Sequence, residues 1–212
     1  SIATARLRVL LAALTFSVGG AGIKACLLTS WQVASFRSGV AALAVAASNK
    51  AAFIVGQLQI QPGMKVLDAG CGPGRVTLPL ARAVGAPGQV LAVDLQPAML
   101  EQVAAKARAQ GLENVRTQAA ALGQGQLAAE QHDRAVMAAV LGEIPDRQAA
   151  LADVFQSLRP GGLLAVAELV FDPHFQRRTS VEKLAGKAGF IPHSFHGHAA
   201  AYLLVLQRPL QL

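Results

Sequence analysis

The chain changes texture near residue 50. Ahead of that point lie three uncharged stretches, Val9–Ile23, Ala25–Phe36 and Ser38–Asn49, of 15, 12 and 12 residues. Behind it, short apolar runs alternate with stretches of helical period, the pattern of an α/β domain built on a mainly parallel sheet. Lys65–Asp68 reads as a first strand and Gly74–Val84 as the helix after it, although Pro79 inside that helix would remove a backbone hydrogen bond. Gln89–Asp94 is a second strand, followed by a helix over Pro97–Gln110 that Gly111 closes. Val115–Gln118 is a third, weaker strand, Asp133–Leu141 a fourth, and Arg147–Leu158 the next helix. After a turn at Arg159-Pro-Gly-Gly162 come a fifth strand, Leu163–Glu168, and a helix over Val181–Ala188. Residues 190–195 and 201–207 then suggest a closing antiparallel pair.

Charge sharpens the division. Residues 1–50 hold Arg6, Arg8, Lys24, Arg37 and Lys50 and no acid, whereas residues 51–212 hold 14 bases and 12 acids. The net charge of +7 therefore belongs mostly to the front segment. No run of Lys and Arg interleaved with aromatic residues occurs, which argues against nucleic acid as a partner. At 212 residues, 53% apolar and 15% charged, the chain is long enough for a sizeable core and unlike a disordered one. Two domains are expected: residues 1–48, an apolar, basic helical segment, and residues 49–212, the α/β domain.

Each uncharged stretch of the front segment is shorter than the ~20 residues a spanning helix needs. Val9–Phe36, interrupted only by Lys24, would be long enough as one tilted helix. Membrane anchor, helical cap on the downstream domain and signal peptide all remain open readings. The stretch GGAGIKACLLTSWQVASFRSGVAAL resembles the first membrane helix, and the start of the second, of the drug/metabolite transporter superfamily. That likeness covers less than a quarter of the chain, and nothing after residue 50 supplies further spans, so transport is not implied. Cys26 and Cys71 sit in unrelated contexts and read as free, buried thiols of a reducing compartment. The expected location is cytoplasmic, with residues 1–48 on the inner face of a membrane if they form the anchor.

The chemistry concentrates in Val66-Leu-Asp-Ala-Gly-Cys-Gly-Pro-Gly74, a glycine turn between a strand and a helix, where open α/β sheets bind ligands. Its G-x-G-x-G spacing differs from the G-x-G-x-x-G that fits a dinucleotide pyrophosphate. Asp68 adds a carboxylate that would repel a phosphate, so a cationic, phosphate-free cofactor suits the turn better. Asp94, at the tip of the second strand, stands where such folds place the acid that hydrogen-bonds ribose hydroxyls.

Taken together, VLDAGCGPG, AVDLQPAML, LGEIPDR and LRPGGLLAVAE resemble a class I S-adenosylmethionine-dependent methyltransferase over residues 51–209. Within that family the chain is similar to the branch that includes quinone-biosynthesis and arsenite methyltransferases. The resemblance implies a Rossmann-like methyltransferase fold, S-adenosylmethionine as cofactor and a small-molecule acceptor. It places Asp68, Gly70, Gly72 and Gly74 against the methionine part of the cofactor, Asp94 on the ribose, and Leu95 and Met99 beside the adenine. Many relatives carry an acid just after the third strand for the adenine amino group; here Thr117-Gln-Ala-Ala-Ala121 has none, and the amide oxygen of Gln118 is the substitute.

Displacement at a sulfonium needs a base only if the acceptor must lose a proton. Glu143, just after the fourth strand, is the candidate catalytic base; the other reading makes it an acid complementing the dipole of the helix that Asp146 leads. His174 either lines the acceptor side or belongs to a surface turn. His193, His196 and His198 form H-x-x-H-x-H, but no Asp, Glu or Cys follows Glu182, and no metal centre is expected. Lone Trp31 and Tyr202 read as interfacial or packing residues. A cofactor-binding module without catalysis and a membrane-interaction protein are the alternatives to the enzyme.

Overall fold

Strands rich in Val, Leu and Ala on both faces can be satisfied only when both faces are covered, and that requirement organises the domain. The computed structural model describes residues 51–210. The helical segment expected at 1–48, with its transporter likeness and its membrane role, lies outside the described residues, as do Cys26 and Trp31. Residues 51–57 are helical. There follow β1 (Lys65–Ala69), α1 (Thr77–Val84), β2 (Gln89–Asp94), α2 (Pro97–Ala109), β3 (Val115–Ala119) and β4 (His132–Ala138). A 3-10 turn at Leu141–Glu143 leads to α3 (Arg147–Ser157), β5 (Leu158–Leu169), α4 (Arg178–Ala188), β6 (Ile191–His198) and β7 (Ala201–Gln207).

The strands form one seven-stranded sheet in the order β3-β2-β1-β4-β5-β7-β6. β1 to β5 pair in parallel, and β7 runs antiparallel to both β5 and β6. This is the fold class expected from the sequence: a mainly parallel Rossmann-like sheet with an antiparallel closing pair.

The period-2 alternation of the strands sends alternate residues to opposite faces. Val66, Val90, Val136, Ala165, Leu203 and Val205 pack with Leu80, Ala81 and Val84 of α1 and with Ile54 and Leu58. Leu67, Ala69, Ala135, Met137, Leu164, Val166, Leu204 and Leu206 pack on the other side with Leu151 and Val154 of α3 and Val181 and Ala185 of α4. Arg208 secures the lower end of this second layer. Its guanidinium donates to the carbonyls of Phe155, Gln156 and Leu158, satisfying the free C-terminal carbonyls of α3, and pairs with Glu130 at 2.7 Å.

Several boundaries differ from the sequence reading, and three of the differences have a clear physical reason. α1 begins at Thr77, not Gly74, so Pro79 is its third residue, in the first turn, where backbone N–H groups have no intrahelical acceptor. The proline therefore breaks nothing. β4 ends at Ala138 and not at Leu141, because Ala139 turns into the left-handed region at φ +53° while its N–H still bonds Ala167. β5 begins at Leu158 and includes the expected turn: Gly161, at φ +81°, donates its N–H to Arg208 O, and Arg208 N–H donates to Gly162 O, so the Pro-Gly-Gly stretch is paired into the sheet by the residue just past β7.

Chain order and sheet order part company between β1 and β4. β1, β2 and β3 build outward in one direction, and β4 is laid on the other side of β1. The loops leaving the carboxyl ends of β1 and β4 therefore diverge and leave a crevice, the place where open α/β sheets bind ligands.

Candidate functional site

The glycine turn occupies that crevice, and long-range contacts fix its shape. Gly70 and Cys71 both donate their N–H groups to Val93 O on β2, at 2.8 and 2.9 Å, and Gly74 N–H bonds Cys71 O at 3.1 Å. Gly70 lies at φ +77° with Val140, just past β4, pressed against it, so that a side chain there would meet the Val140 methyls. Gly72 is different: its missing Cβ would point into open space, where a ligand can approach the backbone. Gly74 abuts Val103 of α2.

Two carboxylates flank the turn. Asp94, at the tip of β2, accepts the Gly72 N–H on Oδ2 at 2.8 Å and the Gln96 N–H on Oδ1 at 2.9 Å, so it ties the turn to the start of α2. Asp68, at 1% exposure, lies beneath the turn and accepts the Thr77 hydroxyl at 2.6 Å. Burial, opposed by the Thr77 bond and reinforced by the nearby Asp94 charge, pushes the Asp68 carboxyl up to about 6. Cys71, packed with Ala92, Leu100 and Val103, is the buried hydrophobe expected of it; burial first, then Asp68 and Asp94, pushes its thiol up to about 12, so the thiolate needed for nucleophilic chemistry is not formed near neutrality.

Leu95 follows Asp94 and is 70% exposed, and Met99 on α2 is half-buried, which gives an apolar surface beside the carboxylate. Gln118 is the penultimate residue of β3, one strand over, and its side-chain nitrogen donates to Gln126 O at 3.0 Å, which leaves the amide oxygen free to accept. The loop after β3 is clamped by Asp153 of α3, which accepts from Gly123 and Gly125 N–H groups. The residues assigned to the cofactor, Asp68, Gly70, Gly72, Gly74, Asp94, Leu95, Met99 and Gln118, thus all lie at the carboxyl ends of β1, β2 and β3 or on α2 beside them.

Glu143 stands on the other side of Val140, in the 3-10 turn after β4, exposed while Leu141 and Gly142 are buried. The capping position of α3 belongs to Asp146, whose Oδ1 accepts the Ala149 N–H at 2.9 Å. His174 lies in the turn after β5 with its ring near Asp172 and its side chain 57% exposed, the surface-turn arrangement. His193, His196 and His198 are on the edge strand β6, where His196 shares a hydrogen bond with Ser194 at 3.0 Å. Tyr202 packs between Phe175 and Phe195 and donates its hydroxyl to Gln176 O.

Sequence reading missed Thr77, Asp153 and Glu168 as site-shaping residues. Thr77 and Asp153 act on partners 9 and 28 to 30 residues away, a relation no local pattern encodes. Glu168 was visible as a strand-end acid, but its burial was not.

Comparison with known proteins agrees with this fold. Residues 66–162 match the family model described as a methyltransferase domain. The chain is 31% identical over 138 residues to an arsenite methyltransferase of Halobacterium salinarum, covering 65% of this chain and 34% of that protein. It is 32% identical over 123 residues to the ubiquinone/menaquinone biosynthesis C-methyltransferase UbiE of Shewanella halifaxensis, covering 58% of this chain and 49% of that protein. The chain thus spans about a third to a half of the length of these curated relatives. Among solved structures, an S-adenosylmethionine-dependent methyltransferase from Aquifex aeolicus superposes with a TM-score of 0.69 at 20% identity, over 74% of this chain and 89% of the other. The [4+2]-cyclase SpnF gives 0.69 at 16% identity, over 77% and 81%. The fold is that of the Rossmann-like methyltransferases. The family model begins at residue 66, so it lends no support to the transporter likeness of residues 1–50.

Proposed function

We propose that this protein is an enzyme that transfers a methyl group from S-adenosylmethionine to a small acceptor. The observation that carries the reading is the open Gly72 backbone, held by Asp94, in a turn at the fork between β1 and β4 that also carries the buried carboxyl of Asp68. Such a site disfavours a phosphate-bearing dinucleotide and suits a cationic nucleoside. When bound, the cofactor supplies a methyl group on a sulfonium, already a strong leaving group. Asp94 holds the ribose hydroxyls, Leu95 and Met99 cover the adenine, the Gln118 amide oxygen accepts from the adenine amino group, and Asp68 with the backbone around Gly70, Gly72 and Gly74 faces the methionine part. Glu143 takes the acceptor's proton where one must leave.

Calorimetric titration with S-adenosylmethionine and its demethylated product tests the reading. Asp94→Ala is expected to weaken binding by about 1.5–3 kcal/mol, the loss of hydrogen bonds to a charged group. It also frees the Gly72 and Gln96 N–H groups that hold the turn. Preferential binding of NADH would sink the assignment.

Asp68 makes the binding pH-dependent. Its carboxyl titrates near 6 in the folded chain against an ordinary value of 3.8. The folded state therefore holds that proton more tightly than the unfolded chain, and the associated stability, full at low pH, is lost as pH rises from about 4 through 6. A cationic cofactor reverses the preference by favouring the carboxylate. Affinity should rise up to ~tenfold per pH unit below pH 6 and level off above it. Asp68→Asn should flatten that profile; an unchanged slope in the variant would assign the titration elsewhere.

The acceptor class rests on the names of the relatives and on chemistry. Quinone precursors, small thiols, phospholipids and arsenite form the screen, read as transfer of labelled methyl. The second reading is a cofactor-binding module without catalysis, which the same screen separates by the absence of demethylated product. Membrane association through residues 1–48, on the cytoplasmic face, is part of the proposal and rests on the absence of acids there and on the stretch Val9–Phe36, interrupted only by Lys24. Among the described residues, no helix is long and apolar enough to cross a membrane.

A further inference from the structure

Glu168 is the penultimate residue of β5, at the carboxyl edge of the sheet, and is 5% exposed. Its Oε2 accepts the Gln176 N–H at 3.1 Å, while Oε1 is buried with no hydrogen-bond partner. Tyr202, directly opposite on β7, donates its hydroxyl to the Gln176 carbonyl at 2.8 Å. One residue of the loop after β5 is thus gripped at its N–H by Glu168 and at its C=O by Tyr202. The Gln176 side chain in turn donates to His174 O at 2.7 Å, and that carbonyl lies against Gly142 so closely that no Cβ would fit there. Gly142 is the middle residue of the turn that ends in Glu143.

We propose that Glu168 is a positioning residue: by holding Gln176 it keeps segment 170–176 against Gly142, fixes the turn that carries Glu143, and loosens that hold when it ionises. The part concerning Glu143 rests on the methyltransferase reading; the grip itself does not. The charged and titratable groups facing Glu168 are few. Asp172, on the same loop, repels a second negative charge; Arg147, at the start of α3, favours one, and its Nε is also buried without a partner while its Nη2 donates to Gly142 O. Tyr202 faces it from β7, with Glu182 of α4 acting on the tyrosine. His174 is engaged with Asp172 and largely exposed.

Burial is the larger influence and Asp172 adds to it, against the Gln176 N–H and Arg147, so the carboxyl is pushed up to about 7. The closed loop therefore favours the neutral acid. As pH rises from the ordinary value of 4.5 toward 7, an open loop that lets the carboxylate reach water gains ground, because the closed loop would hold it with one oxygen buried and unpartnered; above about 7 the balance levels off.

Hydrogen exchange of the full chain, followed by mass spectrometry from about pH 4.5 to 9 and corrected for intrinsic exchange, reads this directly. Protection of residues 170–176 and 141–145 should fall as pH rises from about 4.5 to about 7, by at most ~tenfold per unit, the limit for one proton, and level off above that. Glu168→Gln keeps the acceptor for Gln176 and removes the charge, so its protection should be flat with pH. Tyr202→Phe removes the other grip and should lower protection at every pH while keeping the step. A wild-type profile without the step, or the same step in Glu168→Gln, overturns the proposal, and the wild-type measurement decides even if a variant fails to fold. Calorimetry with S-adenosylhomocysteine runs beside it: lost binding with an intact step counts against the methyltransferase reading alone, and intact binding without a step against the Glu168 proposal alone.

Discussion

Glu143→Gln is expected to lower methyl transfer by ~10²–10⁴-fold with little change in cofactor affinity, provided the acceptor must lose a proton. The substitution keeps the shape of the side chain and removes its ability to take the proton. Asp146 already caps α3 through the Ala149 N–H, and Glu143 sits in its own 3-10 turn ahead of it, exposed beside buried Leu141 and Gly142. Its removal therefore leaves the capping of α3 in place. Single-turnover rates with an acceptor from the screen, set against calorimetric affinities, make the comparison. Unchanged turnover would remove Glu143 from the mechanism.

Gly70→Ala is expected to cost ~2–5 kcal/mol of stability and to weaken cofactor binding with it. A side chain at φ +77° carries a backbone cost of ~1–2 kcal/mol. Its Cβ also drives into Val140, and inserting a methyl group into a filled space costs a further ~1–3 kcal/mol. Gly72→Ala is the matched control: φ is +49°, and no atom lies within 4 Å of the new Cβ. It should lose only the backbone cost in denaturant unfolding, yet still hinder a ligand at the open face. Adding Val140→Ala to Gly70→Ala should recover part of the stability, because the collision is with that side chain. Equal losses at both glycines, or no recovery, would show that packing of the turn against β4 does not set its shape.

These glycines mark where sequence reading reached and where it stopped. The three were visible as a strand-to-helix turn, and Asp94 was legible 20 residues beyond Gly74, because strand, turn and helix follow one another locally. Their separate duties were not legible. Gly70 answers to Val140 and Gly74 to Val103, residues 70 and 29 positions away, and only the sheet order brings them together. Pro79 looked like a fault in a helix until its start was placed at Thr77, after which the proline fell in the first turn.

The sequence by itself determined the alternation of strands and helices, the parallel character of the sheet and the identity of the carboxylates and glycines at the site. Apolar period, turn chemistry and motif spacing are local properties, read within a few residues. Only the tertiary structure decided that β4 stops at Ala138, that β5 takes in the Pro-Gly-Gly stretch through Arg208, and that Thr77 lies under Asp68. The same holds for Glu168, whose burial and unpartnered oxygen arise from β7 and the loop after β5 closing around it. Hydrogen bonds and burial of that kind depend on which distant segments become neighbours, and that is settled by the covering of both sheet faces rather than by any stretch of the chain alone.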